Sequence, residues 1–170
     1  MENDVVEMPE PLGFHANELF LRGSEYFEAF KITKDDDGLK YPTYFLLVHS
    51  MELFLKSFLA ARGVTKRELK KAHIRHDLEK LYERCTELGL PNVNHLRDFA
   101  REFKDKNSDH DFRYPTSFIL RVPSPKLCIE VVEPLREALR PIISDVASRA
   151  QIDFAAETSH LRPRKIRFSD

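Results

Sequence analysis

Three polar residues stand out on the most apolar stretch of the chain. His49, Glu52 and Lys56 are spaced by three and four, so at about 100° per residue they form one polar stripe along a helix. Glu52 lies four positions before Lys56, the favourable order for an ion pair. The stripe reads in two ways. It is the solvent face of its helix, where such a pair contributes about 0.3–0.5 kcal/mol. Or it faces a groove or a partner subunit, with Glu52 and Lys56 held in a polar network. Further on, His76 and Asp77 directly precede an apolar periodic run. Asp77 suits a helix cap or a first-turn carboxylate. His76 either packs at the start of that helix and bonds to backbone or belongs to a site. His73 and His76 are three apart, a spacing that can bring two imidazoles to one metal. No third ligand lies nearby in sequence, so no metal site is expected. In Asp109-His-Asp-Phe-Arg-Tyr-Pro115 a guanidinium stands among carboxylates and before an aromatic. Arg113 is suited to bidentate contact with a carboxylate, such as Glu52, or with a phosphate.

These residues need helices to position them. Leu19, Gly23, Tyr26 and Phe30 share one face of a helix expected over Phe14–Lys34. Gly23 on that face costs about 1 kcal/mol relative to alanine, which points to close approach of a neighbouring helix. An exposed Lys34–Gly38 loop follows. The stretch from Pro42 to Gly63 is apolar nearly all round and is expected to be the central helix, with Gly63 just past its end. A short third helix carries Leu78, Leu81, Tyr82, Cys85 and Leu88 on one face. A fourth starts near Asn92 or Asn94, either of which suits the cap. Val93, Leu96, Phe99, Ala100 and Phe103 line its inner face, and Lys104–Asp109 is expected to be a polar loop. Tyr114–Val122 is expected to be extended. Ser124 as cap and Pro125 at the first position then open a last helix that continues to about Ala150. Pro134 and Pro141 lie inside it and are expected to kink or split it. The expected fold is therefore all-α: an up-and-down bundle of four to five helices, with a short extended segment before the last long helix. Residues 1–150 form one domain and 151–170 a tail, weakly structured or packed on the bundle.

Composition agrees with a helical class. The 170 residues include only five glycines, too few for the turns of a many-stranded sandwich or barrel. A 42% apolar fraction and a net charge of −1 exclude a disordered chain. No apolar run approaches the roughly 20 residues of a membrane span. The acidic N-terminus lacks the basic start of a secretory signal, so a cytoplasmic location without membrane contact is expected. Two cysteines are too few for a disulfide framework. The near-zero net charge argues against general coating of nucleic acid. Local basic stretches remain. Arg62–Arg84 holds eight bases and four acids, and the tail holds Arg162, Arg164, Lys165 and Arg167. Either stretch is a solvated surface or a phosphate contact. There is no glycine-rich phosphate loop, no helical His-Glu-x-x-His and no Ser-His-Asp order.

His49-Ser-Met-Glu-Leu-Phe-Leu-Lys56, then His76-Asp-Leu78, then Arg113-Tyr-Pro115, taken in that order, resemble the HEPN superfamily of small helical domains over roughly Phe14–Ala150. The resemblance implies a homodimeric bundle, binding of nucleotide or RNA, and membership of a bacterial defence or toxin–antitoxin system with a protein partner such as an antitoxin. It implies Glu52, Lys56, His76, Asp77, Arg113 and Tyr114 as binding residues, with no metal and no cofactor. Active relatives are metal-independent ribonucleases with an arginine followed after four to six residues by histidine. Here no histidine follows Arg113 until His160. The literal match Arg67–His73 falls between the second and third helices, outside the family's place for it. A degenerate binding module is the resulting expectation. One alternative is a ribonuclease using Arg113 with a spatially adjacent His49, His76 or His110. Another is a purely structural dimeric interaction module.

Overall fold

The computed structural model describes residues 5–71, 74–109, 111–114, 117, 119–161 and 164–169. Strand β1 (Val5–Pro9) leads into α1 (Leu12–Thr33), and a 3-10 turn at Asp37–Leu39 turns the chain into α2 (Lys40–Ala61). Then come α3 (Lys66–Leu69), α4 (Leu78–Glu87), α5 (Leu96–Ser108) and α6 (Pro125–Thr158). A 3-10 turn at Ser159–Leu161 and strand β2 (Lys165–Ser169) close the order. The protein is an all-α bundle with one small two-stranded parallel ribbon.

Helix α2 is central because it is apolar on nearly every side. Leu47, Met51, Phe54, Leu55, Phe58 and Leu59 are fully buried and meet α1, α4 and α6. By length and composition α2 matches a membrane span, yet most of it is buried inside the bundle. Gly23 is the close approach its place in the sequence suggested. A Cβ there would come 3.0 Å from the Phe54 ring. Helix α1 also crosses α6 closely, where a Cβ on Gly13 would lie 2.6 Å from the Ala150 Cβ.

Several boundaries differ from expectation. Pro42 sits in the first turn of α2 rather than before it, where its missing N–H has no intrahelical partner to lose. Gly63 holds φ +91° beyond the helix end, as expected. Neither Asn92 nor Asn94 caps α5. His95, with φ +64°, stands at that position without a side-chain bond. The segment Lys104–Ser108 is not a loop but the last turns of α5. Ser124 caps α6 as expected, accepting the Leu127 N–H at 3.4 Å. The Tyr44 hydroxyl donates to the Pro123 carbonyl at 2.5 Å and fixes that turn. Helix α6 runs unbroken past Pro134 and Pro141, and eight residues past Ala150. Both prolines are exposed, as are Glu130 and Glu137, whose carbonyls lose a donor. Water can satisfy those carbonyls, so the helix survives.

Strand β2 pairs in parallel with β1, Val5 opposite Lys165 and Met8 opposite Phe168. Phe168 packs edge-on against Phe14 and Phe154, with ring centroids 6.0 and 5.5 Å away. The β1–β2 ribbon thereby packs, through Phe168, against the N-terminus of α1 and the C-terminus of α6.

Candidate functional site

Glu52 is 1% exposed, so the polar stripe of α2 is not a solvent face. A buried carboxylate needs partners, and three segments supply them. The Lys56 ammonium donates to Oε1 at 2.5 Å. The Asn107 amide donates to Oε2 at 2.9 Å and also to the His76 carbonyl at 2.7 Å. His76 Nδ1 lies 3.1 Å from Oε1. An ionised carboxylate only accepts, so that nitrogen carries the proton. Burial pushes the Glu52 carboxyl up. The Lys56 charge and hydrogen bond and the Asn107 amide outweigh it and hold the group below its ordinary value. The network therefore contains a carboxylate ion at neutral pH, and it ties α2 to the turn before α4 and to the end of α5. Asp77 acts as the cap foreseen for it, accepting the Lys80 N–H at 3.1 Å.

His49 continues the stripe one turn earlier. Its ring stacks on Phe45, with centroids 5.6 Å apart and planes 9° from parallel, and the Tyr26 ring meets it edge-on at 4.6 Å. Nδ1 is buried with no hydrogen-bond partner. Burial chiefly, then the positive charges of Arg113 and Lys56, push the imidazole below its ordinary value against the pull of Glu52. It is neutral at pH 7 and accepts or donates a proton only through Nε2.

Arg113 does not pair with Glu52. Its guanidinium carbon lies 4.8 Å from the centroid of the Phe45 ring, and the residue is exposed. Tyr114, next in sequence, is 67% exposed. The expected residues thus divide into two groups. Glu52, Lys56 and His76 form an internal tie with Asn107, and Asp77 caps the adjoining helix. Arg113 stands at the surface over Phe45, and Tyr114, its neighbour in sequence, is exposed. The two groups share the α2 stripe, with His49 and Glu52 three residues apart.

Phe45 and Asn107 were not singled out from sequence. Asn107 lies four residues after Phe103, on the face that Phe99, Ala100 and Phe103 define, so the spacing carried the signal. Phe45 read as one more core residue. His73, His110 and Arg162 lie outside the described residues. Among the described residues no group of three His, Cys, Asp or Glu side chains is placed to hold a metal. Comparison with protein-family models, curated proteins and solved structures gives no match.

Proposed function

We propose that this chain is a HEPN-like, cytoplasmic, homodimeric module that binds nucleotide or RNA. Arg113 is its phosphate contact, and its setting is a defence or toxin–antitoxin system. The observation that carries this reading is the exposed Arg113, its guanidinium carbon 4.8 Å from the centroid of the Phe45 ring. An arginine held over an aromatic ring still presents its planar fork of N–H donors at its edge, where a phosphate can take two of them. Tyr114, exposed and next in sequence, adds an aromatic side chain to the same surface. Glu52, Lys56, His76 and Asn107 act behind this surface, holding α2 and the start of α4 in place. A protein partner such as an antitoxin would approach the same exposed side.

The contacts of His49 favour a second reading, a metal-independent ribonuclease. His49 and Arg113 both touch Phe45, and the imidazole is neutral at pH 7. In that reading the ribose 2′-hydroxyl attacks the adjacent phosphorus and gives its proton to His49 Nε2. The bond from phosphorus to the 5′ oxygen breaks, a 2′,3′-cyclic phosphate forms, and the leaving oxygen takes up a proton.

Fluorescence anisotropy with a labelled 12-nucleotide RNA in EDTA tests both. The expected result is binding that weakens by about tenfold or more in Arg113→Ala, the loss of one charged bidentate contact. Equal binding by both proteins overturns the first reading. Cleavage products from the same mixtures that vanish in His49→Ala would select the second.

A further inference from the structure

We propose that the groove between α1 and the first half of α2 is a base pocket selective for guanine. This rests on the reading that Arg113 holds a phosphate. The groove has a volume of about 540 Å³ and opens to solvent. Glu18, Arg22 and Glu25 rim it from one face of α1, at spacings of four and three. Such spacing ordinarily gives ion pairs along a helix. Among the described residues, none of the three makes an ion pair or a hydrogen bond through its side chain. Two carboxylates and a guanidinium at the rim are therefore open to water or to a ligand in the groove. Its apolar surface comes from Leu21, Tyr26 and Leu46. A flat, largely apolar ligand with a polar edge fits that division.

The polar edge can be specified. A carboxylate beside a guanidinium asks for adjacent donors next to an acceptor. Guanine presents N1–H and N2–H₂ as neighbouring donors with O6 alongside. Adenine and cytosine offer one donor group on that edge, and uracil a single N–H between two acceptors. A purely cationic peptide would satisfy Glu18 and Glu25 but meet Arg22 as a repulsive charge. The groove is also joined to the proposed phosphate contact. Tyr26 lines it and meets His49 at 4.6 Å, His49 meets Phe45 at 5.6 Å, and Phe45 meets Arg113 at 4.8 Å. The two ends of this chain of rings lie within the span of a short oligonucleotide.

The test uses four labelled RNA pentamers of uridine, whose central residue is guanosine, inosine, adenosine or uridine. Binding to the full chain is followed by anisotropy in EDTA. The guanosine pentamer is expected to bind about tenfold tighter than the adenosine and uridine ones, and inosine, lacking N2–H₂, to fall between. Glu18→Gln and Glu25→Gln should narrow the gap between the guanosine and uridine pentamers. Arg113→Ala should weaken all four alike. Loss with Arg113→Ala but no base preference overturns the guanine pocket and leaves the phosphate reading standing. Absence of any binding overturns both. Sedimentation supplies one more contrary result. If Leu21→Asp turns a dimer into a monomer and leaves the pentamer affinities unchanged, the groove is an interface between copies and the pocket is excluded.

Discussion

The amide of Asn107 donates to the Glu52 carboxylate at 2.9 Å across 55 positions of sequence. This bond joins the central helix to the end of α5, and the same amide reaches the His76 carbonyl. Removing Glu52 strands an ammonium, an amide and an imidazole together. Glu52→Ala is expected to cost about 3–5 kcal/mol, the range for breaking a buried ion pair from one side. Asn107→Ala should cost about 1–3 kcal/mol. Urea unfolding measures both. The double variant should cost less than the sum, because the two share one network. Additive losses would contradict the coupling.

Acid should destabilise the fold in two stages. His49 is held below its ordinary value of 6.5, so the unfolded chain takes up a proton first. Its contribution is complete above pH 6.5 and declines as pH falls from there toward the folded value. Glu52 is held below 4.5, so its contribution is complete above that pH and declines beneath it. Thermal unfolding between pH 8 and 3 should show both declines. His49→Gln should flatten the upper one in part, because burial also holds His15 below its ordinary value, and should leave the lower one unchanged. A wild-type stability independent of pH between 6.5 and 5 would contradict the placement of His49.

The two tight helix crossings should respond differently to one added methyl group. Alanine gains about 1 kcal/mol of helix propensity over glycine. At Gly13 the new Cβ would sit 2.7 Å from the Val146 carbonyl oxygen as well as against Ala150, and backbone cannot step aside. Gly13→Ala should therefore be destabilising by about 1–2 kcal/mol net. At Gly23 the neighbour is the Phe54 ring at 3.0 Å, which can shift by a few tenths of an ångström, so Gly23→Ala should be near neutral. A stabilised Gly13→Ala, measured by thermal unfolding, would contradict the packing of α1 on α6.

The helices were legible because their apolar spacing is regular, and α2 announced itself as central by being apolar on all sides. The stripe of His49, Glu52 and Lys56 was legible as a stripe. What covers it was not, because periodicity defines a face and leaves its neighbour open. Asn107 was hidden by composition. Lys104–Asp109 is polar enough to pass for a loop, and only its register with Phe103 places one residue inward. Phe45 was hidden for the opposite reason, as an aromatic among many on an apolar helix. The capping box of Thr65 and Glu68 that builds α3 was present as a four-residue pattern and went unread. The pairing of β1 with β2 joins segments about 160 residues apart, and five-residue strands carry too little pattern to announce a partner at that distance.

If Arg113 meets a phosphate, the salt dependence of RNA affinity must register its loss. Each phosphate neutralised on a single strand contributes about 0.7 to the slope of log affinity against log salt. The affinity of the wild-type chain for a labelled 12-nucleotide RNA should be measured in EDTA from low to physiological salt, beside Arg113→Ala. The slope for the variant should be shallower, by about 0.7 per phosphate lost. Two parallel lines, or no binding by the wild-type chain at low salt, would contradict it.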